Sequence, residues 1–131
     1  MYKVYSKSQK KQLDSRKYAM TGDGEILEDV FYESIGWSYL DIEEKRDTVF
    51  CLGSGLKDSS QNEIYEGDIV KVESWKTENE AGIVLCERAL VEFDFSGWTL
   101  FCKELHYRER LTRGYKHTIV GNKFKNPELI K

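Results

Sequence analysis

Leu90-Val91-Glu92-Phe93-Asp94-Phe95, then Ser96-Gly97, then Trp98-Thr99-Leu100-Phe101-Cys102 is the stretch on which the fold turns. Val91, Phe93 and Phe95 alternate with Glu92 and Asp94, so an extended chain puts the apolar side chains on one face and the carboxylates on the other. Ser96-Gly97 reverses the chain, and Trp98 to Cys102 reads as the returning strand. Working outward, Ile69-Val70-Lys71-Val72-Glu73 and Gly82-Ile83-Val84-Leu85-Cys86 are two earlier runs of the same kind. Thr118-Ile119-Val120 is a last short strand after a polar, basic connection. Five short strands joined by hairpins predict a small barrel or roll, because curling a sheet on itself leaves few unpaired edges.

The N-terminal part carries weaker signals. Lys17 to Met20 and Glu25 to Leu27 flank Thr21-Gly22-Asp23-Gly24, whose glycines suit a tight hairpin. Ser38 to Lys45 reads as one or two helical turns behind a serine cap. With no linker rich in glycine, serine or proline, the best boundary lies near residues 53 to 62. It separates a β-rich subdomain with a short helix, residues 1 to 53, from the barrel region, residues 54 to 131. The expected class is mainly β, with α+β as the alternative.

Composition agrees with this class. Aromatic residues reach 13%, eight of them tyrosine, and Pro127 is the single proline; aromatic side chains fit a half-buried pleated surface. No apolar run approaches the roughly 18 residues that span a bilayer, and Met1 to Gln12 is polar and basic, so neither a membrane span nor a signal peptide is expected. Cys51, Cys86 and Cys102 are odd in number and widely spaced, which argues against both a disulfide framework and a zinc site. Buried thiols in a reducing cytoplasm are the expectation.

The net charge is −3, but it is segregated. Residues 1 to 17 hold six bases against Asp14 alone, and residues 103 to 131 hold eight bases against three acids. The excess of acid lies between them. A chain divided in this way attracts copies of itself as readily as a charged partner.

Two segments are more specific. Gly55-Leu56-Lys57-Asp58 followed by Glu63-Ile64-Tyr65-Glu66-Gly67-Asp68-Ile69-Val70 resembles the hallmark of the YopX family of phage and prophage proteins. Ile119-Val120-Gly121-Asn122, with Asn126-Pro127-Glu128-Leu129-Ile130, is similar to that family's ending. The chain departs from the pattern at Ser54, where the family usually has threonine, and at Asp58 to Asn62, which lacks the glycine of the family's Asn-Gly turn. The resemblance implies an SH3-like barrel in the C-terminal half and a place in the cytoplasm of a bacterial host. It implies no established activity.

Several constellations invite a chemical reading. Glu63, Glu66 and Asp68 place three carboxylates within six residues, as a hard-cation site would; a turn with glycine for its φ and aspartate for its amides explains them better. His106 and His117 lack ligands at helical spacing, so no metal and no cofactor is expected. No nucleophile elbow or phosphate-cradling loop occurs, which argues against an enzyme, an unrecognised hydrolase being the remaining catalytic reading. Lys103, Arg108, Arg110, Arg113, Tyr115 and Lys116 form the candidate binding strip, where cations meet phosphates and rings stack on unpaired bases. The bland alternative is a solvated loop, or a face that meets the acidic middle of another subunit. The leading expectation is a noncatalytic, self-associating interaction protein with a host or phage partner and no membrane contact. The second is a nucleic-acid-binding accessory factor in phage replication or gene control.

Overall fold

The computed structural model describes residues 2–14, 18–20, 26–29, 37–39, 47–94 and 97–130. It is mainly β, with no α-helix element among the described residues. The chain divides into two compact units, Met1–Cys51 and Leu52–Lys131.

In the first unit, β1 (Tyr2–Ser6) pairs antiparallel with β2 (Lys11–Leu13), opposing Val4 to Leu13 and Ser6 to Lys11. Asp47 fastens the turn between them. Its carboxylate accepts from Ser6 Oγ at 2.7 Å, Ser8 N at 2.6 Å and Ser8 Oγ at 2.9 Å, and its carbonyl accepts from Lys7 N. The Ser6 hydroxyl leads these contacts in holding the Asp47 carboxyl below its usual pKa. A separate sheet contains β3 (Tyr18–Met20), β4 (Ile26–Asp29) and β5 (Trp37–Tyr39). The expected hairpin strands are present, with Ala19 opposite Leu27, while their Thr21 to Gly24 turn lies outside the described residues. The serine-capped helix does not begin at Ser38, which stands in β5 opposite Glu28. Its aromatic neighbours Trp37 and Tyr39 favour the pleated conformation over a helix start; residues 40–46 lie outside the described residues.

The second unit is built on a curled, five-stranded antiparallel half-barrel. Its strands are β8 (Asp68–Glu73), β9 (Val84–Asp94), β10 (Gly97–Cys102), β11 (Tyr107–Arg110) and β12 (Lys116–Asn122), in the spatial order β11-β10-β9-β8-β12. They are preceded by β6 (Thr48–Lys57), which runs across the division between the units, and β7 (Glu63–Tyr65), with Lys57 opposite Glu63.

Two readings change here. The runs around Val84 and Val91 are one strand, because two bulges each absorb an extra residue of β9: Glu87 and Arg88 stand against Lys71 alone between the Val70–Ala89 and Val72–Cys86 pairs, and Leu85 is extra before Glu73 faces Val84. The connection after Cys102 also contains β11, whose charged residues hide its period-2 pattern; Glu109 faces Leu100 and Arg110 faces Thr99.

Register sorts the side chains. Val70, Ala89 and Cys102 form one row across the inner face, and Val91, Leu100, Val72 and Cys86 lie on that face too, all at most 4% exposed. Burying each such Val or Leu contributes roughly 1.5–3 kcal/mol. The curl and the β9 bulge bring Cys86 within 6.4 Å (Cα–Cα) of Cys102, and the two form a disulfide. All three cysteines are buried as expected, and Cys51 takes no part in this disulfide. Spacing along the sequence carried no sign of this bond because it joins neighbouring strands.

On the outer face, Gly121, Ile69, Leu90, Phe101 and Arg108 form a continuous row. Pro127–Ile130 closes the chain as a 3-10 turn above it. Leu129 approaches Gly121 so closely that a Cβ there would lie 2.6 Å from Leu129 Cδ1. Arg88 and Lys103 donate to the carbonyls of Leu129 and Ile130.

Candidate functional site

The signature segments form a clasp. Gly67 has φ +88, and a Cβ there would lie 3.0 Å from Phe124 Cε2. Asp68 Oδ2 accepts from Tyr65 N at 2.8 Å, while Oδ1 accepts from Asn122 Nδ2 at 3.1 Å. Asn122 Oδ1 in turn accepts from Phe124 N, and Lys123 N donates to Gly67 O. The turn expected of the Gly67-Asp68 pair is therefore present. Just before Pro127, Asn126 Oδ1 accepts from Asn122 N at 3.2 Å.

Asp58 organises the other end. One carboxylate oxygen accepts from Ser60 N and Asn62 N at 2.9 Å each, and the other from Ile119 N at 3.2 Å. Ser59 N donates to His117 O, and the Ser59 and Thr118 hydroxyls bond at 3.0 Å. This turn covers the free edge of β12 and spares it an unpaired ladder. Within this turn, which lacks the family's glycine, Gln61 takes the left-handed conformation, φ +69.

Between that turn and the start of β12 opens a cleft of about 750 Å³. Lys57, Arg113 and Lys116 supply its cations, and Trp75 and Tyr115 its rings. Asp58 also lines it, but both its oxygens are occupied by backbone amides. Glu73 stands opposite Lys116 in the ladder and pairs with Lys71 at 3.5 Å. Trp75 is 53% exposed, and its Nε1 donates to Arg113 O at 3.2 Å. Beneath lies His117, 5% exposed, whose Nε2 has no hydrogen-bond partner among the described residues. Burial pushes the His117 pKa down, and the Glu109 carboxylate opposes that shift.

The six residues of the candidate strip separate into groups. Arg113, Tyr115 and Lys116 meet in the cleft. Lys103 lies by the terminal turn, bonded to Ile130 O at 3.3 Å. Arg108 pairs with Glu92 and covers the Phe101 ring at 4.7 Å, while Arg110 is exposed on the same β11. Lys57, Trp75 and His117 were not among the candidates. The one signal for Trp75 was a large aromatic placed directly after a strand in the polar run Ser74 to Glu80. Among the described residues no group of three or more His, Cys, Asp or Glu could hold a metal ion, and no helix is long and apolar enough to cross a membrane.

A family model described as YopX protein matches residues 1–131. The chain belongs to the YopX family. Its fold is similar to the crystal structure of protein yopX from Bacillus subtilis, with a TM-score of 0.62 and 18% identity over 99% of this chain and 97% of that one. No curated protein matches. Within this YopX chain, the segments that carry the resemblance hold the sheet together. The cleft lies beside the Asp58 turn, lined in part by Gly55 to Ser59.

Proposed function

We propose that this YopX-family chain is a noncatalytic nucleic-acid-binding protein that works through the cleft beside the Asp58 turn. The observation that carries this reading is the convergence of Lys57, Arg113 and Lys116 with Trp75 and Tyr115, while the carboxylate among them is held by amides. Cations placed beside exposed rings suit a chain of phosphates and bases. The phage or prophage origin and cytoplasmic location implied by the family signature accord with an accessory role in replication or gene control.

Self-association through complementary charge has less of the basic strip to draw on. Arg108 is paired with Glu92 of its own chain, and Lys103 lies on its own terminal turn. Equilibrium titration of a labelled oligonucleotide through a salt series tests the proposal. Three phosphate contacts predict a log–log slope near −2 for a single strand, a loss of roughly tenfold to twentyfold between 50 and 200 mM salt. Absence of binding at low salt overturns it, and light scattering over the same series shows whether assembly takes the place of nucleic acid.

A further inference from the structure

Resting on that reading, we infer that Trp75 is a preorganised platform for an unpaired base, so that the cleft selects single-stranded over double-stranded nucleic acid. Both ends of this residue are fixed. Immediately before it, Ser74 N donates to Ile83 O, and Ile83 N donates to Ser74 Oγ at 2.9 Å. Gly82 lies so close that a Cβ there would stand 2.8 Å from Ser74 O, which ties the two sides of the loop together. At the far end of the side chain, the indole N–H is held by Arg113 O. The ring therefore has little rotamer freedom left to lose when a ligand stacks on it, while half of its surface stays open to water.

An indole polar edge occupied by a backbone carbonyl leaves the π-face as the remaining means of recognition. A base offers a matching face only when it is free of its duplex neighbours, and the energy of such stacking is tolerant of sequence. Lys57, Arg113 and Lys116 stand around the same opening, placed for the phosphates on either side of a stacked base. Tyr115 gives the cleft a second ring. An acidic peptide would use the cations but gain nothing from an open indole face.

The test compares one oligonucleotide as a single strand and as a duplex, with polyglutamate as a third probe, on wild type, Trp75→Ala, Trp75→Phe and Lys57→Ala/Arg113→Ala. Circular dichroism checks that each variant is folded. The expected result is a single-strand preference of about tenfold, lost in Trp75→Ala and largely kept in Trp75→Phe. The cation variant should weaken strand and duplex alike. Equal affinity for strand and duplex, or a Trp75→Ala protein that binds the single strand like wild type, overturns the inference and leaves the proposed function standing. Binding of polyglutamate alone, or of no probe, removes both.

Discussion

Asp68 and Asn122, fifty-four residues apart in sequence, meet through a buried hydrogen bond of 3.1 Å. The contact joins the first strand of the half-barrel to the last, and the same two side chains secure Tyr65 N and Phe124 N on either side. One polar pair thus fixes the corner where the two family segments come together. Removing either partner withdraws a buried hydrogen bond from a carboxylate or an amide. Asn122→Ala and Asp68→Ala should each cost about 2–3 kcal/mol, and the double variant should cost less than their sum because both remove the same contact. Urea denaturation of the four proteins measures this; full additivity would contradict the clasp.

Glycine positions separate conformation from space. Gly55 has φ +80 with open room at its Cβ position, whereas Gly67 combines φ +88 with Phe124 at 3.0 Å. Alanine at Gly55 should cost roughly 1 kcal/mol through backbone strain alone, and alanine at Gly67 clearly more. In the opposite direction, Gln61→Gly should relieve the left-handed residue at φ +69 and raise stability by roughly 0.5–1 kcal/mol, after allowing for the freer unfolded chain. Melting temperatures test the order, which fails if Gln61→Gly lowers the midpoint.

Acid should weaken the second unit through His117. Its folded pKa lies below the ordinary value near 6.5 because burial penalises the imidazolium. The unfolded chain therefore binds the proton first, so this contribution is fully present above the unfolded pKa and declines as pH falls towards the folded one. A His117→Gln protein should show a flatter stability profile below about pH 6.5. An unchanged slope would show that His117 does not set the acid sensitivity of this unit.

Thiol counting tests the core pairing. In denaturant without reductant one cysteine, Cys51, should react with a maleimide, and after reduction all three should. Three reactive thiols before reduction would contradict the Cys86–Cys102 bond.

The alternating runs from Ile69 onward were legible because Lys71, Glu73, Glu92 and Asp94 alternate with the buried Val70, Val72 and Val91, and a polar face beside an apolar one is the condition under which a period of two survives in sequence. Where that condition lapses, reading failed. β11 places Arg108 on the outer face, paired to Glu92, and Glu109 opposite Leu100, so charge occupies both faces. The bulge at Glu87-Arg88 broke one strand into two apparent ones. Asp58, Gly67, Asp68 and Asn122 stood out as a pattern, yet their partners lie across the sheet and cannot be read along the chain. The cleft was half legible for the same reason: Arg113, Tyr115 and Lys116 are neighbours in sequence, while Lys57 arrives from the end of β6 and Trp75 from the segment after β8.

The most direct test of the binding account is a nuclear magnetic resonance titration of the labelled protein with a short single-stranded oligonucleotide at low salt. Shifts should concentrate on the Trp75 indole N–H and on Lys57, Arg113, Tyr115 and Lys116, the residues gathered at the cleft. Shifts confined to Lys103, Arg108 and Arg110, or none at saturating oligonucleotide, would contradict the account.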